Sequence, residues 1–198
     1  CEFPDLEQKI YHFREVSSTM DVARELSHQR VEEGTIVIAE SQSQGRGRLN
    51  RQWLSPEGGI YFTLILRPKI SPIYAPRINL MVAVAIAQTI RKLFGLAAEL
   101  KWPNDVLIGE KKVCGILAEM NAETDAINFV NLGIGINVNT PVSRLEGKTT
   151  SLKEKLGKEV SRKELFHSVV KEIIKQQTLL SQEDLLKEWK QLSTTLNQ

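Results

Sequence analysis

The fold is decided by residues 98–138, AELKWPNDVLIGEKKVCGILAEMNAETDAINFVNLGIGINV. Apolar and polar residues alternate along much of this segment, and two short polar stretches, 109–110 and 121–125, interrupt it. Alternation is typical of half-buried strands, and connections this short join antiparallel neighbours. We therefore predict four successive strands in a mainly antiparallel sheet, at 98–102, 106–108, 113–120 and 127–138.

Outside this segment, strands and helices alternate first, and the last third of the chain is helical. β-branched or alternating apolar stretches predict further strands at 10–16, 35–39 and 60–66. Helical spacing of apolar residues and the capping boxes SRKE and SQED predict helices at 17–34, 76–95, 165–180 and 185–192. These elements predict an α+β fold: a mixed, mainly antiparallel sheet flanked by helices.

The composition is typical of one soluble globular domain. The chain has 198 residues, of which 41% are hydrophobic and 25% are charged; this is enough for one sizeable core and too little for two. A net charge of +2 lacks the basic excess of a dedicated nucleic-acid binder. Two distant cysteines, Cys1 and Cys114, favour a reducing cytoplasm. The apolar runs are too short for a membrane span, and the first residues are too acidic for a signal peptide.

A glycine-rich basic loop interrupts the apolar strands between residues 40 and 59. Its centre, GRGRLNRQW at 45–53, carries three arginines, and no acidic residue lies between positions 41 and 56. Glycine lets a ligand approach the backbone closely, and one guanidinium group can donate two hydrogen bonds to the oxygens of a phosphate. The spacing is neither that of a P-loop nor that of a dinucleotide fingerprint. These residues alone support a phosphate- or nucleic-acid-binding role and a merely solvated loop about equally.

Three further clusters place polar groups or glycine in predicted strands. The sequence KWPND at 101–105 either faces a ligand or forms a plain turn, and its turn chemistry favours the turn. Alternation predicts Lys112 and Cys114 on the same strand face, with room for a ligand at Gly115. Lys112 alone would be an exposed charge, and Cys114 is predicted to be a core residue. The glycines of GIGIN at 133–137 indicate a ligand, a bulge or close packing.

Together these motifs resemble the catalytic domain of the biotin protein ligases, also called biotin–acetyl-CoA-carboxylase ligases. The resemblance runs from about residue 10 to residue 192. Its most specific part is the order GRGRxxRxW, KWPND and KxxGIL, and Ser18-Thr19 and Gln42 precede these motifs. The resemblance implies the class II aminoacyl-tRNA synthetase-like fold that biotin and lipoate ligases share.

The resemblance also implies a reaction in two steps. Biotin and MgATP form biotinyl-5′-adenylate and pyrophosphate, and the biotinyl group then passes to a lysine of a biotin carboxyl carrier protein, within acetyl-CoA carboxylase or a related biotin enzyme. Catalytic roles fall to Lys112, Arg46 and Arg48. The implied biotin-binding residues are Ser18, Thr19, Gln42, Gly45, Arg46, Lys112 and Gly115. The implied ATP- and adenylate-binding residues are Arg48, Arg51, Trp53, Lys101, Asn104, Asp105 and Asn137, with Asp105 also a magnesium contact.

One departure from the family pattern lies in the basic loop, where Leu49-Asn50 replaces the commoner Arg-Gly. Asparagine tolerates positive φ nearly as well as glycine, so we expect the loop still to close, and to do so when ligand arrives. We expect residues 1–198 to form a single catalytic domain, with neither the N-terminal DNA-binding domain nor the C-terminal SH3-like domain of some relatives.

Two alternatives to a biotin protein ligase stay open. One is a ligase or transferase of the same fold that acts on lipoate or octanoate, and the other is a non-catalytic nucleic-acid-binding module built on Arg46, Arg48 and Arg51. Under the leading interpretation we expect a cytoplasmic protein, monomeric or homodimeric, that binds neither nucleic acid nor membrane.

Overall fold

A computed structural model of the chain describes residues 8–179 and 183–194. Seven strands form one sheet in the order β1-β2-β3-β7-β6-β5-β4. The β1–β2 pair is parallel and every other neighbouring pair is antiparallel. The mixed, mainly antiparallel sheet of the prediction is therefore confirmed. The strands are β1 (Ile10–Val16), β2 (Ile36–Gln42), β3 (Ile60–Leu66), β4 (Ala98–Lys101), β5 (Asp105–Ile108), β6 (Lys111–Ala122) and β7 (Ile127–Ile136).

Helices cover both faces of the sheet. On one face, Ala23 of α1 packs against Val37 and Ile65. On the other face, α2, α4 and α5 bury the neighbouring strand positions, among them Ile36 and Leu64. Successive strand residues point to opposite faces, so β2 and β3 supply residues to both cores. The helices are α1 (Thr19–His28), α2 (Pro76–Phe94), α3 (Leu152–Leu156), α4 (Arg162–Gln176) and α5 (Glu183–Leu192).

Helix α2 is the central core helix. Gly95 ends it in the left-handed conformation, with φ of 66°, as its position in the sequence predicts. The stretch Pro72–Phe94 is long and apolar enough to cross a membrane by length and composition. Ile78, Ile86 and Ile90, however, are fully buried against the sheet. The helix thus has the burial of a globular core element.

Three helix boundaries differ from those predicted. α1 ends at His28, well before Gly34, because Arg30 takes a φ of 58° and turns the chain back. α3 was not predicted, although Ser151 caps it by accepting a hydrogen bond from the Glu154 amide at 3.2 Å. α4 ends at Gln176, earlier than predicted. The predicted cap Ser181 and the predicted helix end Leu180 lie outside the described residues.

Candidate active site

A cleft of about 360 Å³ opens between the start of α1, the basic loop and the sheet. Its walls come from distant parts of the sequence, which the sheet order brings to one place. All but two of the predicted site residues line it; Gly45 and Asn137 do not. Those that do are Ser18, Thr19, Gln42, Arg46, Arg48, Arg51, Trp53, Lys101, Asn104, Asp105, Lys112 and Gly115.

The start of α1 forms the polar end of the cleft. The Ser18 hydroxyl caps the helix by accepting from the Met20 amide at 3.3 Å. The Thr19 amide and hydroxyl both donate to Gln42 Oε1, at 2.8 and 3.1 Å. Gln42 Nε2 in turn donates to the Ser55 hydroxyl at 2.8 Å. The Gln42 amide is therefore held at both ends before any ligand is bound.

The basic loop is folded into a small hairpin over residues 45–53. The Trp53 amide donates to the Gly45 carbonyl at 2.9 Å, and the Gly47 amide donates to the Arg51 carbonyl at 2.7 Å. A Cβ on Gly45 would overlap the Trp53 carbonyl and lie 2.7 Å from Ser55 Oγ. The absence of a side chain at Gly45 thus lets residues 53–55 pack against it, and Gly45 itself does not line the cleft. Whether the hairpin closes only on ligand binding stays a prediction.

The turn of the hairpin differs from expectation in which residue is left-handed. The positive φ, 55°, falls on Leu49 and not on Asn50. Leu49 is also 83% exposed, at the tip of the hairpin. A branched side chain rarely adopts this backbone conformation. Because Leu49 nevertheless adopts it, the prediction that asparagine would supply it was wrong.

An ion pair joins the hairpin to α1. The Arg46 guanidinium donates to both carboxylate oxygens of Asp21, at 2.9 and 2.7 Å. These hydrogen bonds hold the pKa of Asp21 below its ordinary value, against the opposing effect of partial burial. Asp21 also contacts Arg24, which reaches Glu119 at 2.6 Å. The sequence offers no signal for Asp21, because its partner lies 25 positions away.

Trp53 lies on a platform of glycine. Gly115 of β6 and Gly135 of β7 are paired directly across the sheet. A Cβ on Gly135 would overlap the Trp53 indole nitrogen, and one on Gly115 would lie 2.9 Å from the indole ring. Close packing of Trp53 thus explains the glycine in β7. The indole N–H is buried against Gly135 and has no hydrogen-bond partner within 8–179 and 183–194.

A β-bulge turns Lys112 into the cleft. Val106 and Leu107 of β5 pair with Cys114 and Lys112, which leaves Val113 without a partner on β5. An extra residue of this kind reverses the alternation of side chains. Lys112 Nζ consequently lies 3.2 Å from where a Gly115 Cβ would be, whereas Cys114 is fully buried in the opposite core. The prediction that Lys112 and Cys114 share a face was wrong, because alternation assumes an unbroken ladder.

Lys112 is held between a carboxylate and an indole ring. Its ammonium lies 2.7 Å from Asp105 Oδ1 and 5.0 Å from the centre of the Trp53 ring. Asp105 is opposite Gly115 in the β5–β6 pair, and Asn104 anchors this corner by donating from Nδ2 to the Ile116 carbonyl at 2.8 Å. Residues 102–104 form the turn between β4 and β5 that their chemistry predicts, and the KWPND segment is also part of the cleft wall.

Unpaired positive charge surrounds the cleft. Within the part of the chain that the structure describes, the side chains of Arg48, Arg51 and Lys101 make no ion pair. Among the described residues that line the cleft, one has an acidic side chain, Asp105. An anionic ligand would therefore meet several cationic groups that need not first release a partner.

A second cavity of about 160 Å³ lies on the far side of Trp53. Gln52, Trp53 and Lys112 line both cavities and so form the wall between them. Asn137 faces the second cavity; it is 1% exposed, and its Nδ2 donates to the Thr150 carbonyl at 3.1 Å. Asn137 Oδ1 and Thr149 Oγ1 are buried without partners in the described chain. This cavity thus presents two polar atoms that a ligand could satisfy.

No cysteine or histidine among the residues that the structure describes lines the cleft. Burial raises the pKa of the Cys114 thiol, which confirms that it is a core residue. His12 pairs with Glu40 at 2.9 Å, and His28 contacts the edge of Phe129, both outside the cleft. Among the residues of 8–179 and 183–194, no group of three His, Cys, Asp or Glu side chains could hold a metal ion. Asp105 alone could add a carboxylate to a cation that is bound mainly by phosphate oxygens.

The polar recess at the start of α1 lies beside a cationic zone over the inner strands β6 and β7. Together they define a binding site for a small molecule that is partly neutral and partly anionic. The chain belongs to the biotin/lipoate A/B protein ligase family, whose sequence profile matches residues 12–139.

Individual relatives agree with this assignment. The bifunctional ligase/repressor BirA of Bacillus subtilis is 44% identical over 158 residues, which cover 77% of this chain and 48% of that protein. The biotin–[acetyl-CoA-carboxylase] ligase of Paracoccus denitrificans is 39% identical over 104 residues, covering 52% of this chain and 43% of that protein. The chain spans about half the length of the curated relatives it matches.

A solved structure confirms the fold class. The biotin protein ligase from Aquifex aeolicus in complex with biotin and ATP matches 93% of this chain and 76% of that chain. The TM-score is 0.77 at 31% sequence identity. The catalytic-domain fold that the motifs imply is therefore the fold of this chain.

Proposed function

We propose that the chain is the catalytic part of a biotin protein ligase, which activates biotin with ATP and transfers it to a lysine of a biotin carboxyl carrier protein. The observation that carries the proposal is that one cleft holds two kinds of surface. Its polar end, at Thr19 and Gln42, suits a neutral ring with hydrogen-bonding groups, and its cationic zone, around Lys112, suits phosphate. The names of the relatives in Bacillus subtilis and Paracoccus denitrificans support this reaction.

In the first step, a biotin carboxylate oxygen attacks the α-phosphorus of ATP, and the bond to the β-phosphate oxygen breaks to release pyrophosphate. Two anions must approach each other, so positive charge at the reacting centre lowers the barrier. Lys112 would supply this charge, and the position of its ammonium in the cleft, against Asp105 and Trp53, supports that role. Arg48, Arg51 and Lys101 would hold the phosphates.

In the second step, the amine of the carrier lysine attacks the acyl carbon of biotinyl-5′-adenylate, loses a proton, and AMP leaves. The mixed anhydride must be kept from water until the carrier arrives. The hairpin over residues 45–53 lines the cleft and would exclude water when it closes over the ligand. Arg48, which has no ion-pair partner in the described chain, would hold the adenylate phosphate there.

The second cavity would receive the adenine ring. Asn137 Oδ1 lacks a partner and could accept a hydrogen bond from the exocyclic amine of adenine. Trp53 separates this cavity from the cleft, so it would lie against the adenylate between the two ends of the molecule. Mg²⁺ would neutralise the phosphates, and Asp105 would be its protein contact.

Exchange of radiolabelled pyrophosphate into ATP tests the first step. With biotin we expect exchange, and with lipoate or octanoate we expect none above background. Exchange with lipoate but not with biotin would favour the lipoate ligase alternative. The second step is tested by transfer of labelled biotin to a purified biotin carboxyl carrier domain from acetyl-CoA carboxylase, with a carrier whose acceptor lysine is replaced by arginine as the control.

We also propose that the chain acts in the cytoplasm, as a monomer or homodimer, without nucleic acid. Dependence on ATP and a free, buried Cys114 support the compartment. A module that binds nucleic acid through its arginines would bind more weakly as salt increases. Titration with duplex DNA and with RNA at several salt concentrations is expected to show no binding, and steeply salt-dependent binding would contradict the proposal.

A further inference from the structure

Thr63 lies beneath the polar end of the cleft without lining it. It is fully buried in β3, and its hydroxyl donates to Thr19 Oγ1 at 2.9 Å. We propose that Thr63 is a positioning residue that sets which atoms of the biotin-binding end donate hydrogen bonds and which accept them. This inference rests on the proposed function, because it concerns recognition of the biotin ureido ring.

The hydrogen bonds from Thr63 run in one direction. A hydroxyl has a single proton, so Thr19, which accepts from Thr63, directs its own proton to Gln42 Oε1 at 3.1 Å. That oxygen also accepts from the Thr19 amide, which turns Gln42 Nε2 towards Ser55 Oγ at 2.8 Å. Ser55 then donates to the Trp53 carbonyl at 3.1 Å. We call this chain from Thr63 to Trp53 the relay.

The opposite direction would leave a buried proton without an acceptor. If Thr19 donated to Thr63, the Thr63 proton would need another acceptor, and none is found for it among residues 8–179 and 183–194. An unsatisfied buried donor is costly compared with a made hydrogen bond. Thr63 therefore donates to Thr19 Oγ1, which leaves the Thr19 proton for Gln42 Oε1, and the Thr19 amide holds that oxygen in the same orientation.

The direction decides what the cleft offers to a ligand. Thr19 Oγ1 has given its proton to Gln42 and one lone pair to Thr63, so one acceptor site is left. Gln42 Nε2 uses one proton on Ser55, so one donor is left. A cyclic urea presents an N–H beside a C=O. The N–H matches the acceptor at Thr19 Oγ1, and the C=O matches the donor at Gln42 Nε2. The relay thus prepares the cleft for a neutral ureido ring.

The sheet places Thr63 where this is possible. Thr63 is paired with Gly133 of β7, and a Cβ on Gly133 would lie 2.7 Å from the Met20 sulfur. The absence of a side chain at Gly133 lets the first turn of α1 lie close to the sheet. Thr19, which begins α1, thereby comes within hydrogen-bonding distance of Thr63.

The test is calorimetric titration of the full chain with biotin, with 2-iminobiotin in its protonated form, and with ATP. Thr63→Val keeps the shape and removes the donor. We expect the variant to bind biotin roughly tenfold more weakly and ATP within about twofold of wild type. Protonated 2-iminobiotin carries a donor where biotin has its carbonyl acceptor. In Thr63→Val, the ratio of the Kd for 2-iminobiotin to the Kd for biotin should therefore fall at least about threefold.

Two variants serve as controls. Thr63→Ser keeps the hydroxyl and should restore the wild-type preference for biotin. Thr89→Val removes another buried threonine hydroxyl, one that donates to the Ala85 carbonyl within α2, and should leave biotin binding unchanged. If the Thr63→Val chain binds biotin with wild-type affinity and preference, or loses ATP affinity equally, the inference is wrong. If the wild-type chain does not bind biotin at all, the proposed function itself fails and the inference with it.

Discussion

The two walls of the cleft are held in place by different forces. The floor, which comprises Gly115, Gly135 and the start of α1, belongs to a continuous strand ladder and to the buried relay. The hairpin over residues 45–53 is joined to α1 by the Arg46–Asp21 ion pair and rests on the floor through Trp53. The polar end of the cleft is thus built on the sheet and on α1, whereas part of its cationic zone lies on the hairpin.

The difference indicates how binding and release can be separated. A half-exposed ion pair contributes at most about 1 kcal/mol, because water screens it. Arg46 can therefore exchange its Asp21 partner for a ligand anion at small cost. The floor offers no such exchange, since opening it would break buried hydrogen bonds. We expect variants of the floor and of Lys112 to impair the reaction itself, and variants of the hairpin to affect retention.

The largest effect is expected for Lys112→Ala. Removing a cation placed at the reacting phosphate should slow biotin-dependent pyrophosphate exchange by roughly a hundredfold or more. The melting temperature should change little, because Lys112 is a partly exposed residue at a strand end. Lys111→Ala is the matched control. Lys111 Nζ lies 3.4 Å from Glu154 Oε1, outside the cleft, so this variant should keep the wild-type rate. Near wild-type exchange in Lys112→Ala would refute its role.

Gly135→Ala tests whether the floor must be bare. The new methyl group would overlap the Trp53 indole nitrogen and push the ring from its platform. We expect roughly tenfold slower exchange, and a red shift of tryptophan emission that disappears when Trp53→Phe is added. Gly47→Ala, whose Cβ would lie 3.5 Å from the Arg51 carbonyl in ordinary contact, should show neither effect. Unchanged emission in Gly135→Ala would mean that Trp53 does not rest there.

Arg48→Ala tests retention by the hairpin. Without this guanidinium we expect biotinyl-5′-adenylate to escape before transfer, so that bystander proteins are labelled roughly severalfold more than by wild type. Streptavidin blots of a mixture of unrelated proteins measure this. Arg14→Ala, in the exposed edge strand β1, provides the control. A variant that labels its carrier domain alone would argue against retention by Arg48.

The smallest effect is expected for Asp21→Asn. The pKa of Asp21 is lowered from 3.8 by the Arg46 hydrogen bonds, so the folded state favours the ionised carboxylate. The pair therefore stabilises the fold above the ordinary pKa, and this contribution is lost as pH falls through the lowered one. Urea unfolding should find wild type more stable than the variant by at most about 1 kcal/mol near neutral pH. The difference should shrink in acid, and a difference that grows there would contradict the ion pair.

The parts of the site that the sequence predicts are those in which neighbouring residues act together. KWPND, Lys112 with Gly115, and the arginines at 46, 48 and 51 each lie within one short segment, and the structure brings them to one cleft. The sheet and most strand positions were predicted for the same reason, because alternation is local. The sequence SLKE at 151–154 has the spacing of a capping box, and Ser151 caps α3 by accepting from the Glu154 amide.

The parts that the sequence did not predict depend on distance or on register. Asp21 and Thr63 act through partners that lie 25 and 44 positions away, and no local pattern marks them. The exchange of faces at Lys112 depends on a bulge, which a periodic pattern does not reveal. Leu49 takes a left-handed backbone that its residue type disfavours, so residue preferences pointed to its neighbour.

The bulge at Val113 makes the placement of Lys112 a matter of chain length. Without the extra residue, β6 would continue its ladder against β5, and the same lysine would point to the opposite side of the sheet. An insertion of one residue, rather than a replacement, can therefore move a lysine from the opposite face of the sheet to the face that lines the cleft. In a sheet of this kind, a new reactive group can arise without any change in the side chains that build the core.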